Sequence, residues 1–201
     1  MIKIYHSQRA RSIRVVWLCE EMGVAYETVP VKFNEPPPEF LTLNPLRTLP
    51  VLQDGAVVMI ESIAMMLYIM GKYGPTDLNV GPLEPDYAKY MQFLMFGEAG
   101  MAMYGNPLVA TKFFAPEDAR ANWTVDYLKD AFAKRLRFVE AALGDGPYLM
   151  GDRFTAADIS VGYSIGMAGF ADADAAMTAK LKAYHQRLTE RPAYQRAQKA
   201  P

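Results

Sequence analysis

Cysteine is almost missing from this chain: Cys19 is the sole one in 201 residues. An internal disulfide is therefore impossible, and there is no CxxC redox pair. Histidine is nearly as scarce, with two residues. His6 and His185 stand too far apart in sequence to suggest a metal centre, so no metal is expected. Charge of one sign does not dominate, since the net charge is -1 and no basic stripe interrupts the mixed signs. Phosphate contacts need clustered Lys and Arg, so nucleic acid is not expected as a partner. No apolar run approaches the ~20 residues that a membrane span requires, so no membrane partner is expected either. Met1-Ile2-Lys3-Ile4-Tyr5 passes straight into a strand pattern without a signal-peptide layout. A cytoplasmic location is the expectation. Internal repeats and low-complexity segments are absent as well.

What is present is an ordinary globular balance, 51% apolar and 21% charged. Methionine is abundant at 13 residues, and flexible thioethers suit an adaptable core or an accommodating apolar pocket. Strand and helix signals alternate up to about residue 77. Strand patterns cover 2–5 and 24–31, the second rich in β-branched residues. A helix is expected over 12–22, with Val15, Leu18, Cys19 and Met22 on one stripe and Gly23 as its stop. Pro36-Pro37-Pro38 forces a loop, and a short helical piece follows over 39–43. Strands over 50–53 and 56–59 flank Asp54-Gly55, a strong hairpin signal. A helix over 62–73 ends at Gly74-Pro75. The order β-α-β-α-β-β-α implies a mixed sheet with helices on both faces.

Residues 75–85 are rich in Gly and Pro and read as a linker. Beyond them every period is helical. Helices are expected over 86–104, with Gly105-Asn106-Pro107 as a break or kink, and then over 117–143, 155–170, 177–189 and 193–199. The reading is an α+β, thioredoxin-like domain over 1–77 and an all-α domain over 85–201.

Four segments carry a more specific signal. They are Asn44-Pro45-Leu46-Arg47-Thr48-Leu49-Pro50-Val51-Leu52, Glu61-Ser62-Ile63-Ala64, Tyr148 through Ile159, and Arg191-Pro192-Ala193-Tyr194. In this order and spacing, over the whole chain, they resemble the cytosolic glutathione transferases of bacterial type. The resemblance implies an enzyme that takes glutathione as co-substrate and conjugates its thiolate to small hydrophobic electrophiles. It also implies a homodimer, with helix three and the long helix of the second domain at the interface. A glutathione-dependent peroxidase or disulfide reductase, or a non-catalytic glutathione-binding protein, would use the same scaffold.

The resemblance places a cis bond at Leu49-Pro50, where Thr48, Leu49 and Pro50 would pair with an extended tripeptide like an added strand. An ordinary edge-strand proline is the plain alternative. Glu61 would receive the γ-glutamyl ammonium. Ser62 and the helix start would receive the γ-glutamyl carboxylate, although Ser there also suits a simple N-cap. Arg47 and Lys32 would meet the glycine carboxylate. Thr155 with Asp158 forms a capping box, so Asp158 reads as a fold residue.

The thiol must also be ionised. Free thiols have a pKa of about 8.5, and lowering it by about two units requires about 2.7 kcal/mol of preference for the anion. One hydrogen bond to a charged group supplies about 1.5–3 kcal/mol and a helix N-terminus about 0.3–1. The donor is expected in the loop from Tyr5 to Ser12, with Ser12 first, then Ser7 and Tyr5. Arg11 occupies the place where the bacterial cysteine-type class has its cysteine, and it could stabilise the thiolate by charge. Cys19, on an apolar stripe, reads as a buried inert thiol. The electrophile pocket is expected between the domains, with Met101, Met103, Tyr104 and Phe113 as candidates.

Overall fold

The computed structural model describes residues 1–32 and 35–201. It divides into two compact units, one made of residues 1–79 and 189–201, the other of residues 80–188. The expected boundary near 77 lies close to the observed one, but the last 13 residues, 189–201, join the first unit.

In the first unit the order is β1 (Ile2–His6), α1 (Ser12–Met22), β2 (Tyr26–Pro30), α2 (Pro38–Leu43), β3 (Val51–Asp54), β4 (Val57–Met59) and α3 (Ser62–Tyr73). The four strands lie in the order β2-β1-β3-β4. β1 and β2 run parallel, with Tyr5 opposite Val29. β3 is antiparallel to both β1 and β4, with Ile4 opposite Leu52 and Leu52 opposite Met59. This is the mixed, thioredoxin-like sheet that the alternating signals imply. The hairpin turn falls on Gly55 and Ala56, one residue later than expected. Asp54 stays in β3, where its carboxylate oxygen Oδ2 accepts hydrogen bonds from Lys72 Nζ (2.6 Å), Tyr73 Oη (2.7 Å) and Tyr68 Oη (2.9 Å) of α3.

Helix α1 ends at Gly23, whose φ of 65° lets its N–H reach back to the Cys19 carbonyl. Its sequence suggests one buried stripe, yet every residue from Ser12 to Cys19 is buried. The reason is a second cover. Helix α9 (Pro192–Ala197) packs on α1, which also contacts β1 and α3. Arg191 forks onto both carboxylate oxygens of Glu21, at 2.6 and 2.8 Å. Tyr194 meets Trp17 edge-on, with ring centroids 4.8 Å apart. Arg196 pairs with Glu20 at 2.5 Å.

The second unit holds α4 (Tyr87–Met95), a π-helical segment (Phe96–Ala102), α5 (Met103–Phe114), α6 (Trp123–Leu143), α7 (Ala156–Ile165) and α8 (Ala179–Thr189), whose last residue lies past the boundary. The chain does not break at Gly105-Asn106-Pro107. Instead α5 runs through Pro107, and the irregularity sits earlier, in the π segment. Widened turns free backbone carbonyls. Side chains take them up here: Ser160 donates to Leu94 O at 2.7 Å, Ser164 to Gly97 O at 2.6 Å, and Arg135 Nε to Gly100 O at 2.7 Å. Gly97 permits this close approach, because a Cβ there would collide with Ser160. Among the described residues, no helix is long and apolar enough to cross a membrane.

Candidate functional site

The sheet register brings the predicted segments of the first unit to one end of the sheet. β1 finishes at His6, and the loop 7–11 follows. β2 runs parallel to it, and the Val31 N–H donates to the His6 carbonyl at 2.7 Å, so Lys32 lies at the same end. β3 is antiparallel to β1, so Thr48, Leu49 and Pro50 enter it from that end. β4 is antiparallel to β3 and delivers Ile60, Glu61 and Ser62 there as well. Lys32, Arg47, Thr48 and Glu61 form an exposed polar rim, and Leu49, Pro50 and Ser62 form a buried floor.

Each segment is held by its own local bonds. The Leu49–Pro50 peptide is cis. Asn44 is buried, and its Nδ2 donates to Thr48 O (2.8 Å) and Thr48 Oγ1 (3.1 Å), while its Oδ1 accepts from Leu46 N (3.1 Å). Asn44 thus templates the turn in which Arg47 adopts φ 57°. Glu61 also takes a left-handed backbone, φ 77° and ψ 104°, immediately before α3. A non-glycine residue there costs about 1–3 kcal/mol and such strain concentrates at functional sites. Ser62 is not the N-cap of α3. Glu61 occupies that position and no side chain caps it, so the first N–H groups of α3 lack an internal cap. Ser62 Oγ instead accepts from Arg14 Nη1 at 3.2 Å.

Burial sorts the three hydroxyls expected to face the thiol. Ser12 is 0% exposed. Its Oγ lies 2.8 Å from His6 Nδ1, with weaker contacts to Ser7 O (3.4 Å) and Ser7 N (3.5 Å). Burial lowers the His6 pKa, and Nδ1 and the Ser12 hydroxyl form one buried hydrogen bond whichever of the two donates. Ser12 therefore ties the loop together from inside with its hydroxyl already engaged, which sets it behind Ser7 as the donor expected to face the thiol. Tyr5 is also in the core. Its ring packs 5.8 Å from Phe40, beside Val31, Leu49 and Val51, and burial, then Glu39 and Glu27, push its pKa up. Ser7 is the half-exposed hydroxyl of the set, and Arg11 is half-buried two residues past the Arg9 turn. Cys19 is wholly buried, and burial followed by the Glu20 charge pushes its thiol up to about 12. It stays protonated and inert.

In the second unit the four apolar candidates separate. Met101 is 0% exposed and belongs to the core, so burial removes it from any ligand-lining set. Met103 and Phe113 are more than half exposed. Tyr104 is half-buried beneath the Arg135 guanidinium, 3.5 Å from its ring centroid.

Family models decide what this arrangement belongs to. The model "Glutathione S-transferase, N-terminal domain" matches residues 2–71, and "Glutathione S-transferase, C-terminal domain" matches residues 105–196. The chain belongs to the glutathione S-transferase family. Glutathione S-transferase 3 of Schizosaccharomyces pombe is 30% identical over 176 residues, covering 79% of this chain and 70% of that protein. Glutathione S-transferase 3 of Zea mays is 33% identical over 151 residues, covering 73% and 68%. Among solved structures, glutathione S-transferase III in its apo form is 30% identical with a TM-score of 0.79, covering 99% of this chain and 96% of that one. A transferase family member from Pseudomonas fluorescens, solved with two glutathione molecules bound, is 25% identical with a TM-score of 0.85, covering 100% and 93%.

For a glutathione transferase, three residues of this site went unread in the sequence: Asn44, His6 and Arg14. Arg14 left a signal, because a cation inside Ile13-Arg14-Val15-Val16-Trp17-Leu18 has no solvent face to occupy. Asn44 before Pro45, four residues ahead of Thr48, is a turn-forming side chain in the right place. His6 left none that separates it from an ordinary strand residue. The capping box read in the second unit is present. Thr155 N and Oγ1 donate to Asp158 Oδ2, and Leu149 N and Tyr184 Oη donate to Oδ1.

Proposed function

We propose that the first unit binds glutathione at the sheet end described above and presents its thiolate to small hydrophobic electrophiles. The supporting observation is the pairing of Glu61, held at φ 77°, with Ser62 at the uncapped start of α3. An ammonium and a carboxylate on one carbon match a carboxylate side chain beside free N–H groups. Thr48, Leu49 and Pro50 then pair with the cysteinyl backbone, and Arg47 and Lys32 meet the glycine carboxylate. The Pseudomonas fluorescens family member, solved with two glutathione bound, is in keeping with this ligand.

Thiol activation falls to the loop after β1. Ser7 donates the hydrogen bond and Arg11 adds positive charge, with the α1 N-terminus behind them. A hydrogen bond to a charged group, about 1.5–3 kcal/mol, meets most of the about 2.7 kcal/mol needed for a two-unit shift. The thiol proton passes to solvent. The sulfur then attacks the electrophilic carbon, a C–S bond forms, and the leaving group departs with its electron pair. The enzyme is read as a cytoplasmic homodimer, for which the exposed Leu46, Val57 and Val58 of the first unit offer apolar surface.

Retention on immobilised glutathione and turnover of a chlorinated nitroaromatic test the reading. Failure to bind glutathione at millimolar concentration overturns it. Binding with turnover of a hydroperoxide but not of the nitroaromatic would replace conjugation by peroxidase chemistry. Size-exclusion chromatography with light scattering tests the dimer: a mass of twice 22.5 kDa is expected, and a monomer would refute it.

A further inference from the structure

Arg14 is among the largest fully buried side chains of the first unit. It sits in the first turn of α1, and its Nη1 donates to Ser62 Oγ, 3.2 Å away and 48 residues later, at the first turn of α3. Burying a guanidinium is costly, and it is retained where its bonds matter. The chemistry of the acceptor says what this bond does. A serine hydroxyl carries one hydrogen and two lone pairs. Once a permanently charged donor occupies a lone pair from beneath, the hydroxyl hydrogen must point away from it. Without that donor, a helical serine can turn its hydrogen to a nearby backbone carbonyl.

We propose that Arg14 is a positioning residue for the γ-glutamyl carboxylate: it holds the Ser62 hydroxyl as an outward donor at the α3 N-terminus. The proposal rests on the glutathione reading given above and deepens it. Arg14 acts through Ser62 and does not touch the ligand. Its charge also adds to the positive end of α3, so the site favours a ligand whose γ-linked residue keeps its α-carboxylate.

The test uses the full-length protein and two ligands. One is glutathione. The other is the analogue with γ-aminobutyrate in place of γ-glutamate, which lacks that carboxylate. Arg14→Gln is expected to weaken glutathione binding about 10- to 100-fold, the effect of losing one charge-oriented hydrogen bond. KM for glutathione rises with it, while kcat changes little. Analogue binding should be the same in wild type and variant. Arg14→Lys keeps the charge without the fork and should fall between. In a Ser62→Ala background, Arg14→Gln should cost little more, because both act on one contact. Equal weakening of both ligands by Arg14→Gln, or simple addition of the two losses, would mean a merely structural arginine and overturn the proposal. If Arg14→Gln does not fold, Arg14→Lys carries the same two-ligand comparison. A wild-type protein that fails to bind glutathione sinks the underlying reading, and this inference with it. A wild type that binds while the variants lose both ligands equally sinks the Arg14 role alone.

Discussion

Ser7 and Ser12 lie five residues apart in one loop, and burial gives them opposite duties. Ser12→Ala removes the partner of a buried imidazole and should cost about 1–3 kcal/mol of stability, read as a lower urea midpoint. Ser7→Ala should leave that midpoint nearly unchanged and raise the pH at which bound glutathione ionises. The reverse pattern would return the donor role to Ser12. Asp54 makes a second residue-scale prediction. Hydrogen bonds from Lys72 and Tyr73, outweighing burial, hold its carboxyl at about 2. In the unfolded chain it titrates near ~3.9. The folded-state pKa is the lower one, so its contribution is present above about pH 4 and is lost as pH falls towards about 2. Acid unfolding of the wild type should steepen in that window, and Asp54→Asn should flatten it. Cys19 should react with a thiol reagent only after unfolding, because its thiol is buried and pushed up to about 12.

At the scale of elements, α7 is organised by one carboxylate. Asp158 is fully buried, and its oxygens collect the Leu149 and Thr155 N–H groups and the Thr155 and Tyr184 hydroxyls. Burial raises its pKa, and those four donors oppose the rise. Asp158→Ala would leave Leu149 N, Thr155 N and Tyr184 Oη buried without this acceptor. At about 1–3 kcal/mol for each unsatisfied group, the expected loss exceeds about 3 kcal/mol, measured by denaturant unfolding. Glutathione binding should persist in whatever fraction remains folded, since Asp158 belongs to the second unit. The sequence pattern of Thr155 and Asp158 made this box legible, because a capping box is a local object with a fixed spacing. The π segment was not legible. Phe96 through Ala102 reads as ordinary helix, and its widened turns persist because Ser164 and Arg135, far along the chain, donate hydrogen bonds to its carbonyls.

For the whole molecule, the chain's end returns to its beginning. Residues 189–201 belong to the first unit, where Arg191, Tyr194 and Arg196 close over Glu21, Trp17 and Glu20. Deleting residues 190–201 should expose the Trp17 face of α1. The melting temperature should drop by about 2–4 °C for each kcal/mol lost, and tryptophan fluorescence should shift to the red in the native baseline. An unchanged melting temperature would show the clasp to be dispensable. Because α1 also carries Arg14, the same truncation is expected to weaken glutathione binding.

Most of the architecture was determined by the sequence alone, because the signals involved are local. Strand and helix periods, Gly23 as a stop, the Asp-Gly hairpin and the Thr48-Leu49-Pro50 and Glu61-Ser62 segments all act within a few residues of themselves. Only the tertiary structure decided which polar groups face a ligand. Ser12 and Ser7 are alike in sequence and differ in burial. Met101 and Met103 share a helical run, and packing against neighbouring helices hides one and leaves the other open. Arg14 and Ser62 are 48 residues apart, and no local pattern joins them. Burial and hydrogen-bond partnership are properties of what the rest of the chain brings alongside, and they exist only once the sheet register and helix packing are set.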